Sequence, residues 1–250
     1  MLLQTFLHLP GVGEIRERRI WMEGVESWDD YLASPPPRGV GERLKKRHDR
    51  MLIELKGALG RGQWHRFSTL LPHSHRWRLF DPLGERAAYL DIESDGLGPG
   101  AVITVVGIYT KGRYIPLVRG YNLTRGNIEE ALKDSSMLVT FNGTSFDLPM
   151  IEKHYPGVLP PLPHLDLMHT ARKTGLKGGL KAVERALGIE REVEVAEVNG
   201  EVAVRLWRLW ERERSRGALK LLLKYNKEDV KNLEPLARRL YEALKAKTLF

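Results

Sequence analysis

Hydrophobic and polar positions follow two different periods along this chain. In the first third, the apolar residues recur at helical spacing. Residues 15–28 mix charge and apolar character at near-helical intervals, and residues 42–59 read as a helix with Leu44, Leu52, Ile53 and Leu55 as its apolar set. Between them Ser34-Pro35-Pro36-Pro37-Arg38-Gly39 stops both helix and sheet. From residue 87 the period shortens. Residues 87–93, 101–109 and 114–118 read as strands, with Lys111-Gly112 as a turn, and their short connections predict three antiparallel neighbours. A helix near 126–133, a buried strand at 137–141, a helix from about 145 to 154 and a short strand at 162–165 follow. The rest reads as helix: 180–187, about 201–214, and 218 to the C-terminus. Residues 193–204 have two readings, a hairpin turning on Asn199-Gly200 or a helix capped by Asn199, and the helix is preferred. No internal repeat is visible.

Composition adds charge to this picture. Residues 1–80 carry 14 Lys and Arg against 9 Asp and Glu, so they hold +5 of the total +8. The expectation is a small, basic, mostly helical N-terminal module over 1–80, followed by an α/β domain over 85–250. A net charge of +8 suits a polyanionic partner such as nucleic acid; a basic protein without such a partner is the other reading. With no cysteine, disulfides, thiolate zinc sites and thiol nucleophiles are excluded. Any metal must then be held by Asp, Glu or His, and oxygen donors favour Mg²⁺ or Mn²⁺. No apolar run approaches the roughly 18 residues that span a bilayer. Residues 1–10 lack a basic leader and a cleavage site, so a cytoplasmic location is expected. Gln occurs only at Gln4 and Gln63 while Lys, Arg and Glu abound, a thermophilic bias.

Candidate chemistry lies in three fragments. In Tyr89-Leu90-Asp91-Ile92-Glu93 the two acids are two apart in a strand, so both project from one face. Buried acids without partners are costly, and a metal ion offsets that cost. In Phe141-Asn142-Gly143-Thr144-Ser145-Phe146-Asp147 a tight turn ends a buried strand, and Asp147 opens the next helix. There it either faces a ligand beyond the strand end or only complements the helix dipole. In Tyr225-Asn226-Lys227-Glu228-Asp229 the tyrosine and the last acid are four apart and share one helical face.

Taken together these fragments resemble the three exonuclease motifs of the DEDD (DnaQ-like) superfamily. Tyr225 marks the tyrosine subclass, since the histidine subclass wants His at position 224, which is Lys here. Phe141 to Pro149 is also similar to the second motif of family B DNA polymerase editing domains. The chain looks most like the stand-alone YprB-like prokaryotic branch, in which segments like Gly178-Gly179-Leu180-Lys181-Ala182-Val183-Glu184 and Glu228-Asp229-Val230-Lys231-Asn232-Leu233 recur. The resemblance covers roughly residues 85–240. It implies a ribonuclease H-like α/β fold, a mixed five-stranded sheet flanked by helices. It implies a 3′→5′ exonuclease on single-stranded DNA or RNA, with Asp91, Glu93, Asp147 and Asp229 binding two Mg²⁺ or Mn²⁺ ions and Tyr225 orienting the attacking water. At least one of the four carboxylates should then resist ionisation without metal, and metal binding should stabilise the fold.

Nucleic-acid contacts are expected at Asn142, Phe146, Lys177 and Lys181. Asn142 braces the turn or touches the nucleotide, and Phe146 supports a base or joins the core. Lys177-Gly178-Gly179-Leu180-Lys181 offers amides and charge to a phosphate, or is an ordinary loop. In His164-Leu165-Asp166-Leu167-Met168-His169 the spacing is metal-like, but Asp166 reads better as a helix cap. His73 and His75 read as a surface pair. Asp95 points with Asp91 and Glu93 only if the strand continues, which Gly96 argues against. Gly11-Val12-Gly13 is similar to the hairpin of helix-hairpin-helix DNA-binding motifs. Arg43, Lys45, Lys46, Arg47 and Arg50 read as a solvated basic helix face or a nonspecific strand contact. A non-catalytic binding module and a structure-selective endonuclease with the same metals are the competing functions.

Overall fold

The computed structural model describes residues 1–98 and 100–249, and in it the short-period segments pair into one five-stranded sheet. Strands β1 (Ala87–Ser94), β2 (Ile103–Thr110) and β3 (Arg113–Val118) form an antiparallel meander. The β2–β3 turn uses Lys111 and Gly112, both at positive φ. Strands β4 (Met137–Thr140) and β5 (His164–Asp166) add in parallel beyond β1, giving the order β3-β2-β1-β4-β5. This is the mixed sheet of the ribonuclease H-like fold, with a helical N-terminal region.

Ahead of the sheet lie α1 (Glu14–Met22), α2 (Trp28–Ala33), α3 (Glu42–Gly60) and, after a series of 3₁₀ turns, the single turn α4 (Phe80–Leu83). Helix α5 (Arg125–Leu132) links β3 to β4, and α6 (Asp147–His154) links β4 to β5. Then come α7 (Leu167–Thr174), α8 (Leu180–Ala186), α9 (Val193–Ala196), α10 (Gly200–Glu213) and α11 (Arg216–Leu249). The last helix was expected to reach the C-terminus; Phe250 lies outside the described residues.

Local physics accounts for the departures from the sequence expectation. The near-helical spacing over 15–28 forms helix only to Met22, because Gly24 turns the chain at φ +83, and Ser27 then starts α2 at Trp28 in a reciprocal capping box with Asp30. The helix expected from 145 begins at Asp147, because residues 141–146 form a turn in which Asn142 sits at φ 65. At 199 the capped-helix reading holds: the Asn199 side chain accepts from the Val202 N–H at 3.0 Å. Of the five basic residues on α3, Lys45 is not solvated. It is buried, bonds Asp49 at 2.7 Å and sits over the Tyr31 ring. Only a three-residue 3₁₀ turn, Leu2–Gln4, precedes Gly11.

Strand alternation sends β1 into two cores. Ala88, Leu90 and Ile92 pack with Ile128 and Leu132 of α5 and Ile151 of α6. Ala87 and Tyr89 face the other way, into a cluster with Leu233, Leu236 and Leu240 of α11 and with Leu2, Phe6, Ile20, Trp28 and Leu52 from the N-terminal region. That region is pinned by a buried ion pair: Glu17 accepts from Arg78 at 2.7 Å, from the Thr5 hydroxyl at 2.7 Å and from the Phe6 N–H at 2.7 Å. Among the described residues, no helix is long and apolar enough to cross a membrane.

Candidate metal centre

Asp91 and Glu93 continue the face of β1 that Ala87 and Tyr89 begin, so the sheet surface changes along one strand from apolar to acidic. The β4 pairing covers only Ala87 to Tyr89. Past that point the Ile92 N–H has no strand partner, and Asp147 Oδ1 accepts it at 2.9 Å. One carboxylate thus closes the sheet edge from the first turn of α6. Helix α11 crosses the acidic face and places Tyr225, Asn226 and Asp229 over it. Carboxylate oxygens of Asp91, Glu93 and Asp229 lie within 4.8 Å of one another. Glu93, Asp147 and Asp229 are buried, and Asp91 is half-buried.

Asn226 is fully buried between these acids. Its amide donates to Asp91 Oδ2 at 3.0 Å and to Glu93 Oε1 at 3.3 Å, while its oxygen accepts from the Tyr114 hydroxyl at 2.9 Å. The approach requires Gly107, the register partner of Asp91, since a Cβ there would lie 1.8 Å from Asn226 Oδ1. On the other side, Arg191 Nη1 lies 2.5 Å from Asp229 Oδ1. The same guanidinium grips Glu184 through Nε at 2.6 Å and Nη2 at 2.9 Å, and Asn232 donates to Glu184 Oε1 at 3.0 Å. Tyr225 lies one turn before Asp229 on α11, close enough for the Asp229 charge to act on its phenol.

Four acids with one guanidinium among them carry excess negative charge. Burial, then Asp147, Asp229 and Glu93, push Asp91 well above the usual carboxylate range. Burial and Asp229 do the same to Glu93. Burial raises Asp147 to about 7, against the pull of the Ile92 N–H. Burial raises Asp229 to about 6, with Arg191 opposing. Burial likewise raises the Tyr225 phenol. Such a donor set, hard, anionic and short of countercharge, fits a divalent cation such as Mg²⁺ or Mn²⁺.

Asp91, Glu93, Asp147, Tyr225 and Asp229 all line one cavity of about 940 Å³, which also includes Asn142, Phe146 and, from α10, Arg205 and Arg208. Phe146 is half-buried and packs on the α5–α6 core. Lys181 reaches a neighbouring cavity of about 440 Å³, where its ammonium donates to the Ala196 and Val198 carbonyls and lies 5.7 Å from the Tyr225 ring centroid. Lys177 is exposed and lines neither cavity. Asp95 is directed away: strand β1 ends at Ser94, and Asp95 accepts from the Val102 N–H at 2.8 Å. Asp166 is a cap, accepting from Met168 N at 3.0 Å, and it also takes the Asn142 and Thr144 amides at 2.9 and 3.1 Å. Sequence reading missed Asn226, Tyr114, Arg191 and Glu184. A glycine inside a Val- and Ile-rich strand was a usable sign of close approach at 107; Arg191 had no local sign.

Residues 88–241 match a family model, RNase_H_2, described as RNase_H superfamily. Among solved structures, the family B DNA polymerase from the hyperthermophilic archaeon Pyrobaculum calidifontis is similar in fold, with a TM-score of 0.50 and 18% identity over 62% of this chain and 24% of that one. The chain therefore spans about a quarter of that polymerase's length. The Aedes aegypti Nibbler EXO domain aligns with a TM-score of 0.42 and 13% identity, over 70% of this chain and 91% of that one. No curated protein shows significant similarity to the chain.

Proposed function

The chain belongs to the RNase H superfamily, and from that premise we propose that it is a divalent-metal-dependent nuclease, a 3′→5′ exonuclease on single-stranded DNA or RNA. Within the superfamily we assign it to the DEDD group, tyrosine subclass, in the YprB-like branch. The observation that carries this reading is the group formed by Asp91, Glu93 and Asp229, with Asp147 and Tyr225 on the wall of the same cavity.

Asp91, Glu93, Asp147 and Asp229 hold two Mg²⁺ or Mn²⁺ ions in this proposal. Those ions supply Lewis acidity, lowering the pKa of the attacking water and neutralising charge at the scissile phosphate. The chain's own groups do the positioning. Asn226 fixes the Asp91 and Glu93 carboxylates relative to each other, and Arg191 fixes Asp229. Tyr225, on the wall of the same cavity as Asp229, orients the water toward phosphorus. Asn142 and Phe146 border the cavity where the terminal nucleotide enters, and Arg205 and Arg208 face its phosphates. Lys177 and Lys181 stand further along the strand's path.

The test is cleavage of 5′-labelled single strands, linear and circular, in Mg²⁺ or Mn²⁺. A ladder descending from the 3′ end is expected. Cutting of circles would replace the reading by an endonuclease, and retained binding without cleavage would replace it by a binding module. Asp91→Ala is expected to abolish cleavage; activity persisting in that variant would mean that another site is responsible.

A further inference from the structure

A second cavity, of about 310 Å³, opens beside the carboxylate site and is lined by basic side chains that the proposed hydrolysis does not use. His73 and Arg76 come from the 3₁₀ segment His73–Leu79 of the N-terminal region, and His169 and Lys173 come from α7. None of the four side chains has a hydrogen bond or ion pair among the described residues. Arg76 is half-buried, its Nε is sealed from solvent without a partner, and burial alone depresses its pKa. An unpaired guanidinium held in this way favours an anion.

The wall's one acid is Asp166, and its oxygens are taken by the Asn142, Thr144 and Met168 amides. Its charge is therefore dispersed into backbone rather than offered to Arg76. His164 also lines the cavity, but burial lowers it to about 4 and it bonds the Thr140 hydroxyl, so it is a neutral wall at pH 7. The walls thus combine two cations, two imidazoles and the hydroxyl of Ser74, while the Thr170 hydroxyl donates to the Asp166 carbonyl at 2.9 Å. Tetrahedral oxyanions are held by this combination of charge and donors. The 141–146 turn lends Thr144 to this cavity and Asn142, Ser145 and Phe146 to the carboxylate cavity, so the two sites share a wall.

We propose that the cavity between the His73–Leu79 segment and α7 is a phosphate-binding site with Arg76 as its central donor. The phosphoryl group is either free, as inorganic phosphate, or part of a nucleic-acid strand. The site does not depend on catalysis at the carboxylates, and it can be tested without metal. In EDTA, inorganic phosphate is titrated calorimetrically into the full-length protein, its Arg76→Gln variant and its Lys173→Ala variant. Binding of a 5′-phosphorylated and a 5′-hydroxyl single strand is measured alongside by fluorescence anisotropy. Loss of one charge-assisted contact is expected to weaken binding about tenfold. Lys173 is exposed, so its variant reports on the site even if Arg76→Gln unfolds.

Saturable phosphate binding that both variants weaken supports the site with a free ligand. A preference for the 5′-phosphorylated strand that disappears in the variants supports a terminal phosphate. Equal binding of both strands, weakened in the variants, supports an internal phosphodiester. If phosphate and both strands bind all three proteins alike, or phosphate binds none and the strands do not distinguish them, the proposal is overturned.

Discussion

Gly107 and Asn226 show how closely single residues set the carboxylate cage. A Cβ at 107 would overlap the Asn226 amide, which bridges Asp91 and Glu93. Gly107→Ala is expected to destabilise the fold by about 1–3 kcal/mol, as overpacking does. It should also weaken Mn²⁺ binding, read from the metal-induced rise in melting temperature. A Gly107→Ala protein with unaltered metal response would separate Asn226 from the cage. Proton linkage gives a second expectation. Asp147 and Asp229 titrate at about 7 and about 6 in the fold, against an ordinary 3.8. Over that interval the folded chain binds more protons than the unfolded one, so stability is greatest below about pH 4 as far as these groups are concerned, and falls as pH rises to about 7. A metal bound at the proposed site would displace those protons, so affinity for Mn²⁺ should climb through the same window. Denaturation curves at pH 5 and pH 7.5, with and without Mn²⁺, check both signs.

At the level of elements, the ion pair joining α1 to the segment before the sheet carries a separable prediction. Arg78→Ala would strand Glu17 in the interior and is expected to cost about 3–5 kcal/mol, measured by urea denaturation. A loss below about 1 kcal/mol, the range of exposed pairs, would show that Glu17 finds another partner. The elements also show what a sequence makes legible. The β1–β3 meander, the Asn199-capped α10 and the acids on β1 followed from periodicity and capping chemistry, because the signals lie within a few residues of one another. The end of α1 at Met22 rested on Gly24, whose positive φ no hydrophobic period reports. Asn226 was hidden because its neighbour Tyr225 carried the recognisable spacing. Arg191 was hidden for a different reason: its partners Glu184 and Asp229 come from α8 and α11, and only the folded chain brings them together.

For the whole molecule, the +8 charge predicts that the nucleic-acid binding of the proposed function weakens steeply with salt, with log affinity falling linearly in log salt. A flat dependence would mean that the positive surface does not meet the strand. One cluster joins the two halves of the chain. Tyr241, late on α11, packs its ring 6.0 Å from Trp77 and 5.8 Å from Phe80, while earlier turns of the same helix carry Tyr225 and Asp229. Residues 85–250 expressed alone would leave Leu236, Leu240 and Leu244 without much of their covering, and aggregation is the expected outcome, visible on size-exclusion chromatography. The same packing bears on ancestry. A carboxylate site whose helix is sealed by the leading segment is not readily shuffled between genes, so the two parts should be inherited together and vary in step along the Tyr241 seam.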